Sequence, residues 1–185
     1  AVHDFRRQVV LATKLHLDAA EVSAKGLETV MREHLAASLE RLQTDYADLY
    51  YLHRINPDIP VEDVAQVMGK LIRDGLIRGW GLSQVDVDTI QRAHGVTPLS
   101  AVQNIYSMLE RGVEEAVIPY CLAHNIGLVP FSPIASGFLS GKVTANSDFS
   151  HSDDVRKFVP QLRKENMAAN QPILDLLEQY AARKN

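Results

Sequence analysis

Asp48-Leu49-Tyr50-Tyr51-Leu52-His53 is an apolar run closed by a histidine. A strand covered on both faces reads as such a continuous apolar run rather than as an alternation. Immediately downstream, Val61, Val64, Ala65, Met68, Leu71 and Ile72 recur at helical spacing, which predicts a helix over 61–72 with Gly75 as its stop. The next run, Arg78-Gly79-Trp80-Gly81-Leu82, ends in Ser83. Upstream, Val9-Val10-Leu11-Ala12-Thr13 ends in Lys14. A second helix is predicted between these two runs over 27–42, from Leu27, Val30, Met31, His34, Leu35, Ser38, Leu39 and Leu42. Further on, Ala101-Val102 leads into Gln103, and Leu128-Val129-Pro130-Phe131 leads into Ser132-Pro133.

Short buried runs that alternate with amphipathic helices specify a parallel α/β sheet. Further helices are expected over 86–94, over 113–125 and over 170–184. Pro119 puts either a kink in the second of these or its start near Ile118. In a parallel βα barrel the active site is built at the carboxyl ends of the strands, which is where the polar residues sit here. A complete barrel usually takes about 250 residues. The 185 residues begin at Ala1 rather than Met and stop inside a helical pattern, so the chain reads as a single barrel domain over 1–185 that is cut at both ends. About five of eight βα units of a (β/α)8 TIM barrel are expected, and five strands cannot close such a barrel.

Composition narrows the function. The net charge is -4 with acids and bases interspersed, which argues against a nucleic-acid surface. No apolar run nears the ~20 residues of a membrane helix. The single cysteine, Cys121, cannot form an internal disulfide and fits a reducing, cytoplasmic setting. Gly141 to Val155 is a long polar stretch that reads as a mobile loop.

At the strand ends, Lys14 could hold a neighbouring hydroxyl ionised or act as a nucleophile, and His53 could donate or accept a proton near neutral pH. Taken singly, each is better explained by a solvated lysine or a turn histidine. Together on nearby strands, with Ser83 and Gln103 on the next two, they point to a site. Ser83 and Gln103 can hydrogen-bond a planar amide, or simply backbone groups. Phe131 can stack on an aromatic ring or pack in the core. Ser132-Pro133-Ile134-Ala135-Ser136-Gly137-Phe138-Leu139-Ser140-Gly141-Lys142 combines hydroxyls, two glycines and a cation, which suits a pyrophosphate or an ordinary small-residue loop. No metal site is read from the sequence.

Five motifs in order resemble the aldo-keto reductases, the NADP-dependent (β/α)8 barrel family. They are Ala12-Thr13-Lys14, Asp48 to His53, Gly81-Leu82-Ser83, Gln103 with Tyr106-Ser107, and Pro130-Phe131-Ser132-Pro133 leading to Gly137, Gly141 and Lys142. Their style is closer to the bacterial and potassium-channel-β-like branches than to the aldose reductase branch. The resemblance implies that Lys14 and His53 are two of four catalytic residues, the others being an aspartate and a tyrosine from a segment before Ala1. It implies that the tyrosine protonates the carbonyl oxygen, that the lysine lowers its pKa, and that the histidine orients the carbonyl. It implies an NADP site in which Ser83 and Gln103 hold the nicotinamide carboxamide and Phe131 stacks on the ring. Gln84 stands where relatives carry asparagine or arginine. Ser132, Pro133, Ile134, Ala135, Ser136, Ser140 and Lys142 line the pyrophosphate in this reading, and Arg156 reaches a phosphate.

The function expected is reduction of an aldehyde, ketone or quinone as small-molecule substrate, with no nucleic-acid or membrane partner and with oligomeric state open. An NADP(H)-binding regulatory barrel and an inactive fragment are the alternatives. The polypeptide by itself is expected to be inactive or poorly folded, because its sheet edges would be open.

Overall fold

The computed structural model describes residues 3–144 and 146–184, and these fall into two compact units. The first runs to Asn104 and includes Val113–Val129. It contains all five strands: β1 (Ala12–Leu15), β2 (Ala47–Leu52), β3 (Ile77–Ser83), β4 (Ala101–Gln103) and β5 (Gly127–Leu128). All neighbours are parallel and the order is β1-β2-β3-β4-β5. Sequential order with a helical crossover between strands is the arrangement of a βα barrel; an open doubly wound sheet permutes its strands.

Each crossover follows from local sequence. Asp18 accepts from the Glu21 N–H and starts α1 (Ala19–Lys25), a short helix that the apolar spacing did not announce. Gly26, at φ 85°, separates it from α2 (Leu27–Leu42), whose limits match the predicted 27–42. α3 (Val61–Arg73) buries Val61, Val64, Ala65, Met68 and Leu71, the predicted face. Gly75 then adopts φ 75° and closes the helix. Its N–H donates to the Ile72 carbonyl, and the Leu76 N–H to that of Leu71, the paired bonds of a Schellman stop. Asp86 caps α4 (Val87–Val96) by accepting from the Thr89 N–H. α5 (Val117–Ala123) begins next to Ile118, so Pro119 falls in the first turn, where its missing N–H costs nothing.

Alternate strand residues face opposite ways. Leu15, Tyr50, Leu52, Trp80, Leu82 and Val102 form one face and are almost wholly buried. The Trp80 indole N–H reaches the Thr97 and Pro98 carbonyls at the end of α4. On the other face the Tyr51 ring lies across Gly81. A Cβ built on Gly81 would meet Tyr51 Cε1 and the Ala101 carbonyl oxygen, both at 2.5 Å. Glycine is thus the side chain that lets Tyr51 fill this part of the face. At the amino ends of β1 and β2, Asp48 accepts from Arg6 Nη1 at 2.7 Å and from the Leu11 N–H at 2.9 Å. Burial alone would raise the Asp48 pKa, but these donors and the charges of Arg6 and Arg78 outweigh it and hold it below the ordinary value.

Two strands are shorter than expected. Val9 to Leu11 precede β1, and Val10 is 79% exposed; Leu11 instead gives its carbonyl to the Asp48 and Leu49 N–H groups. β5 stops at Leu128, with one further bond from the Val129 N–H to Val102, because Pro130 has no N–H to continue the ladder.

The second unit is Ile105–Gly112 with Pro130 onward. Its core joins Ala135, Phe138, Val143, Leu162, Met167 and Leu174. Its helix α6 (Lys164–Lys184) starts six residues before the expected 170. Met167 and Leu174 stand seven apart on one face, and burial of both draws the helix back through Met167 despite Pro172. Between Gly141 and Val155 the backbone makes local Asx and hydroxyl turns, as where the Ser150 N–H donates to Asp148 and the Thr144 N–H to Ser147; Ala145 lies outside the described residues.

Gly81→Ala should cost about 3 kcal/mol or more, since the added methyl presses on a backbone carbonyl as well as a ring. Urea unfolding of the whole protein would show it as a lowered midpoint; an unchanged midpoint would mean that Tyr51 does not lie across Gly81.

Candidate active site

The ladder register decides which side chains share a level. Lys14 is opposite Tyr51, Tyr51 opposite Gly81, and Gly81 opposite Ala101. Two residues further along, Ser83 is opposite Gln103, and His53 follows Leu52, the partner of Leu82. The His53 N–H donates to the Leu15 carbonyl at 2.7 Å, so the β1–β2 pairing continues through it. Lys14, Tyr51 and Gly81 thus form one row on one face, and His53, Ser83 and Gln103 form the next at the carboxyl ends. The structure brings together the four residues that the sequence singled out on these strands.

Their surroundings differ. Lys14 and His53 are exposed, whereas Ser83 is only 2% exposed. The His53 pKa is lowered, first by burial of its ring and then by the positive groups Arg54, Lys14 and His16. An imidazole so placed stays neutral at pH 7 and can either donate or accept a hydrogen bond. Ser83 accepts from Arg54 Nη1 at 3.1 Å. Gln84 takes φ 57° and its N–H donates to the Gln103 carbonyl at 3.0 Å, so its backbone fastens the turn after β3 to the end of β4.

Asn104, 3% exposed, completes that fastening. Its Oδ1 accepts from the Val85 N–H at 3.1 Å, and its Nδ2 donates to the Val85 carbonyl at 2.7 Å. Sequence reasoning missed Asn104 and Arg54. Each directly follows a residue that was chosen, Gln103 and His53, and a polar residue one step past a strand end was the available signal. Tyr51 and His16 were also passed over, although the period of two from Lys14 and His53 places them on the same face.

The remaining predicted residues lie in the second unit. Phe131 bridges to Ile105, and its carbonyl accepts from the Tyr106 N–H. Ser132, Ala135 and Ser136 adopt φ of 52°, 49° and 55°, followed by Gly137 at 101° and Gly141 at 71°. Left-handed backbone at non-glycine residues costs about 1–2 kcal/mol per residue and collects where a loop has to present its groups in a set way. The loop is held by Phe138, 1% exposed, and by Ala135 in the core of this unit. Pro133, Ile134, Ser140 and Lys142 are exposed. The Ser140 hydroxyl donates to the Gly137 carbonyl and accepts from the Lys142 N–H. Arg156 is committed elsewhere: it makes a two-armed pair with Asp154, Nη2 to Oδ2 at 2.6 Å, and lies over the Phe149 ring. A phosphate would have to displace Asp154 to reach it.

Among the described residues, no cluster of three or more His, Cys, Asp or Glu could hold a metal, and no helix is long and apolar enough to cross a membrane. A cleft lined by Arg6, Arg7, Gln43 and Tyr46 opens at the amino ends of β1 and β2, away from His53, and its Arg6 is spent on Asp48.

The sequence profile described as "Aldo/keto reductase family" matches residues 1–185. The chain belongs to this family. It is 33% identical over 179 residues to "Probable aldo-keto reductase 1" of Glycine max, a match that takes in 95% of this chain and 51% of the plant protein. Among solved structures it resembles a glycerol dehydrogenase from Gluconobacter oxydans, with a TM-score of 0.77 at 27% identity over 85% of this chain and 48% of that one. It also resembles an aldo/keto reductase from Klebsiella pneumoniae solved with NADP and acetate, with a TM-score of 0.65 at 31% identity over 84% of this chain and 52% of that one. The chain thus spans about half the length of these relatives. Membership of an aldo/keto reductase family agrees with the parallel, sequentially ordered sheet and with a polar row at its carboxyl ends.

Asn104→Ala would leave the buried Val85 N–H and carbonyl without their partner, at a cost of about 1–3 kcal/mol. Denaturant unfolding of the whole protein should show that loss, and an Asn104→Ala variant as stable as the parent would remove the clamp from this account.

Proposed function

We propose that the protein to which this chain belongs is an NADP(H)-dependent oxidoreductase that reduces a small carbonyl compound, an aldehyde, ketone or quinone, to the alcohol. The observation that carries the proposal is that His53, Ser83 and Gln103 form one row, with Lys14 in the row before it on the same face, at the carboxyl ends of four adjacent parallel strands. Membership of the aldo/keto reductase family and the NADP held by the Klebsiella pneumoniae relative support it. In this reading a tyrosine general acid and its aspartate complete the catalytic set.

The residues present suit the cofactor. Ser83 and Gln103 offer a hydroxyl and an amide on one level, the donors and acceptors that a carboxamide needs. Phe131 supplies an aromatic face for the nicotinamide. Ser132, Pro133, Ile134, Ala135, Ser136 and Ser140 belong to a loop of small and hydroxyl residues with several left-handed positions, which would line the pyrophosphate. Lys142 adds a positive charge, and Gln84 contributes through its backbone. When bound, the nicotinamide supplies the hydride. Lys14 and His53 assist the proton transfer that completes the reduction. Lys14 favours the ionised form of a hydroxyl beside it, which eases loss of that proton to the carbonyl oxygen. Neutral His53 donates a hydrogen bond to the same oxygen and fixes its direction. Exchange of one hydride and one proton balances the reduction.

Steady-state assays of the whole protein with NADPH and a panel of aldehydes, ketones and quinones test the proposal. Turnover is expected, and tight NADPH binding without turnover would instead mark a regulatory NADP(H)-binding barrel. His53→Ala should slow carbonyl reduction on the order of 100-fold, with a much smaller change in NADPH affinity; equal losses in both would count against its catalytic role. Lys142→Ala should weaken NADPH binding about tenfold, the loss of one charge-assisted contact. Normal NADPH affinity with lowered turnover would defeat that assignment.

A further inference from the structure

Arg54 is the first residue past His53, and it is exposed, yet its guanidinium is turned back onto the end of the sheet. One nitrogen, Nη1, donates to the His53 carbonyl at 2.6 Å and to the Ser83 hydroxyl at 3.1 Å. The two N–H bonds of a single nitrogen thus join the end of β2 to the end of β3. We propose that Arg54 is a positioning residue of the reductase site, one that presets the Ser83 hydroxyl as a donor and sets the charge that His53 faces. The inference rests on the reading of Ser83 and His53 given under Proposed function.

Two consequences follow from elementary chemistry. A serine hydroxyl has one proton and two lone pairs. A lone pair of Ser83 is held by a cationic donor, so its O–H is free to point outward. There it meets an acceptor, such as the oxygen of a carboxamide. Charge-assisted donation also polarises that O–H and strengthens the bond it makes. The second consequence concerns His53. The charged or titratable groups that act on it are Arg54, the next residue in the chain, and Lys14 and His16 from the end of β1. Partial burial of the ring is the first cause that holds the folded His53 below its usual value, these positive groups add to it, and removal of Arg54 moves it upward.

The test uses the whole protein, as wild type, Arg54→Gln and Arg54→Lys. The His53 midpoint is read by NMR of the 15N-labelled imidazole without cofactor, and the NADPH Kd by fluorescence. Arg54→Gln should raise the His53 midpoint and weaken NADPH binding about tenfold. Arg54→Lys keeps the charge but not the two-way donation from a planar group. It should leave the midpoint near wild type and still weaken NADPH binding. A midpoint or a Kd that does not move in Arg54→Gln overturns the proposal, as does full recovery of NADPH binding in Arg54→Lys. If Arg54→Gln does not fold, the lysine variant alone decides by its Kd. A wild type that binds no NADPH would overturn the functional reading, while the His53 midpoint would still report on Arg54.

Discussion

The register of the parallel ladder is the constraint from which the site follows. Lys14 lies opposite Tyr51, Tyr51 opposite Gly81 and Gly81 opposite Ala101. A slip of one residue in any pair would turn that strand's polar end toward the helices and its apolar face toward the site. The register is held from both sides. On one face Tyr50, Trp80 and Leu82 are fully buried, so any slip would expose them. On the other, Tyr51 fills the space that Gly81 leaves open. At the amino ends, Asp48 binds Arg6 and the Leu11 N–H and so fixes where β1 begins against β2.

The carboxyl ends are fastened differently. There the ladder gives way to turns, and side chains take over its work. Asn104 replaces the missing backbone partners of Val85, Gln84 reaches the Gln103 carbonyl, and Arg54 spans His53 and Ser83. These bonds cluster around the residues that the family resemblance assigns to catalysis and to the cofactor. A polar network in this position makes each strand end rigid without closing it to a ligand.

Much of this was legible in the sequence. The limits of α2 and α3 could be read because an apolar stripe at 3.6-residue spacing and a glycine stop are strong local signals. The five strand positions could be read because buried parallel strands are continuous apolar runs. The errors have physical causes. Val9-Val10-Leu11 is as apolar as a strand, but it precedes the point where Asp48 starts the ladder. Pro130 sits inside an apolar run and removes the N–H that a longer β5 needed. α1 is too short and too exposed to show a periodic face. α6 reaches back past Pro172 because burial of Met167 outweighs the cost of a proline in a helix. In the site, single residues at strand ends were visible, but Asn104 and Arg54 act through geometry beyond the strand, which spacing does not encode.

The ends of β1 to β4 are proposed to form one reductase centre around a nicotinamide. The structure of the whole protein with NADPH bound tests it most directly. The account expects the carboxamide within hydrogen-bonding distance of Ser83 and Gln103, with the reactive face of the ring turned toward the side of the sheet that carries Lys14 and His53. A nicotinamide bound away from these four residues, or on the helix-covered face, would contradict it.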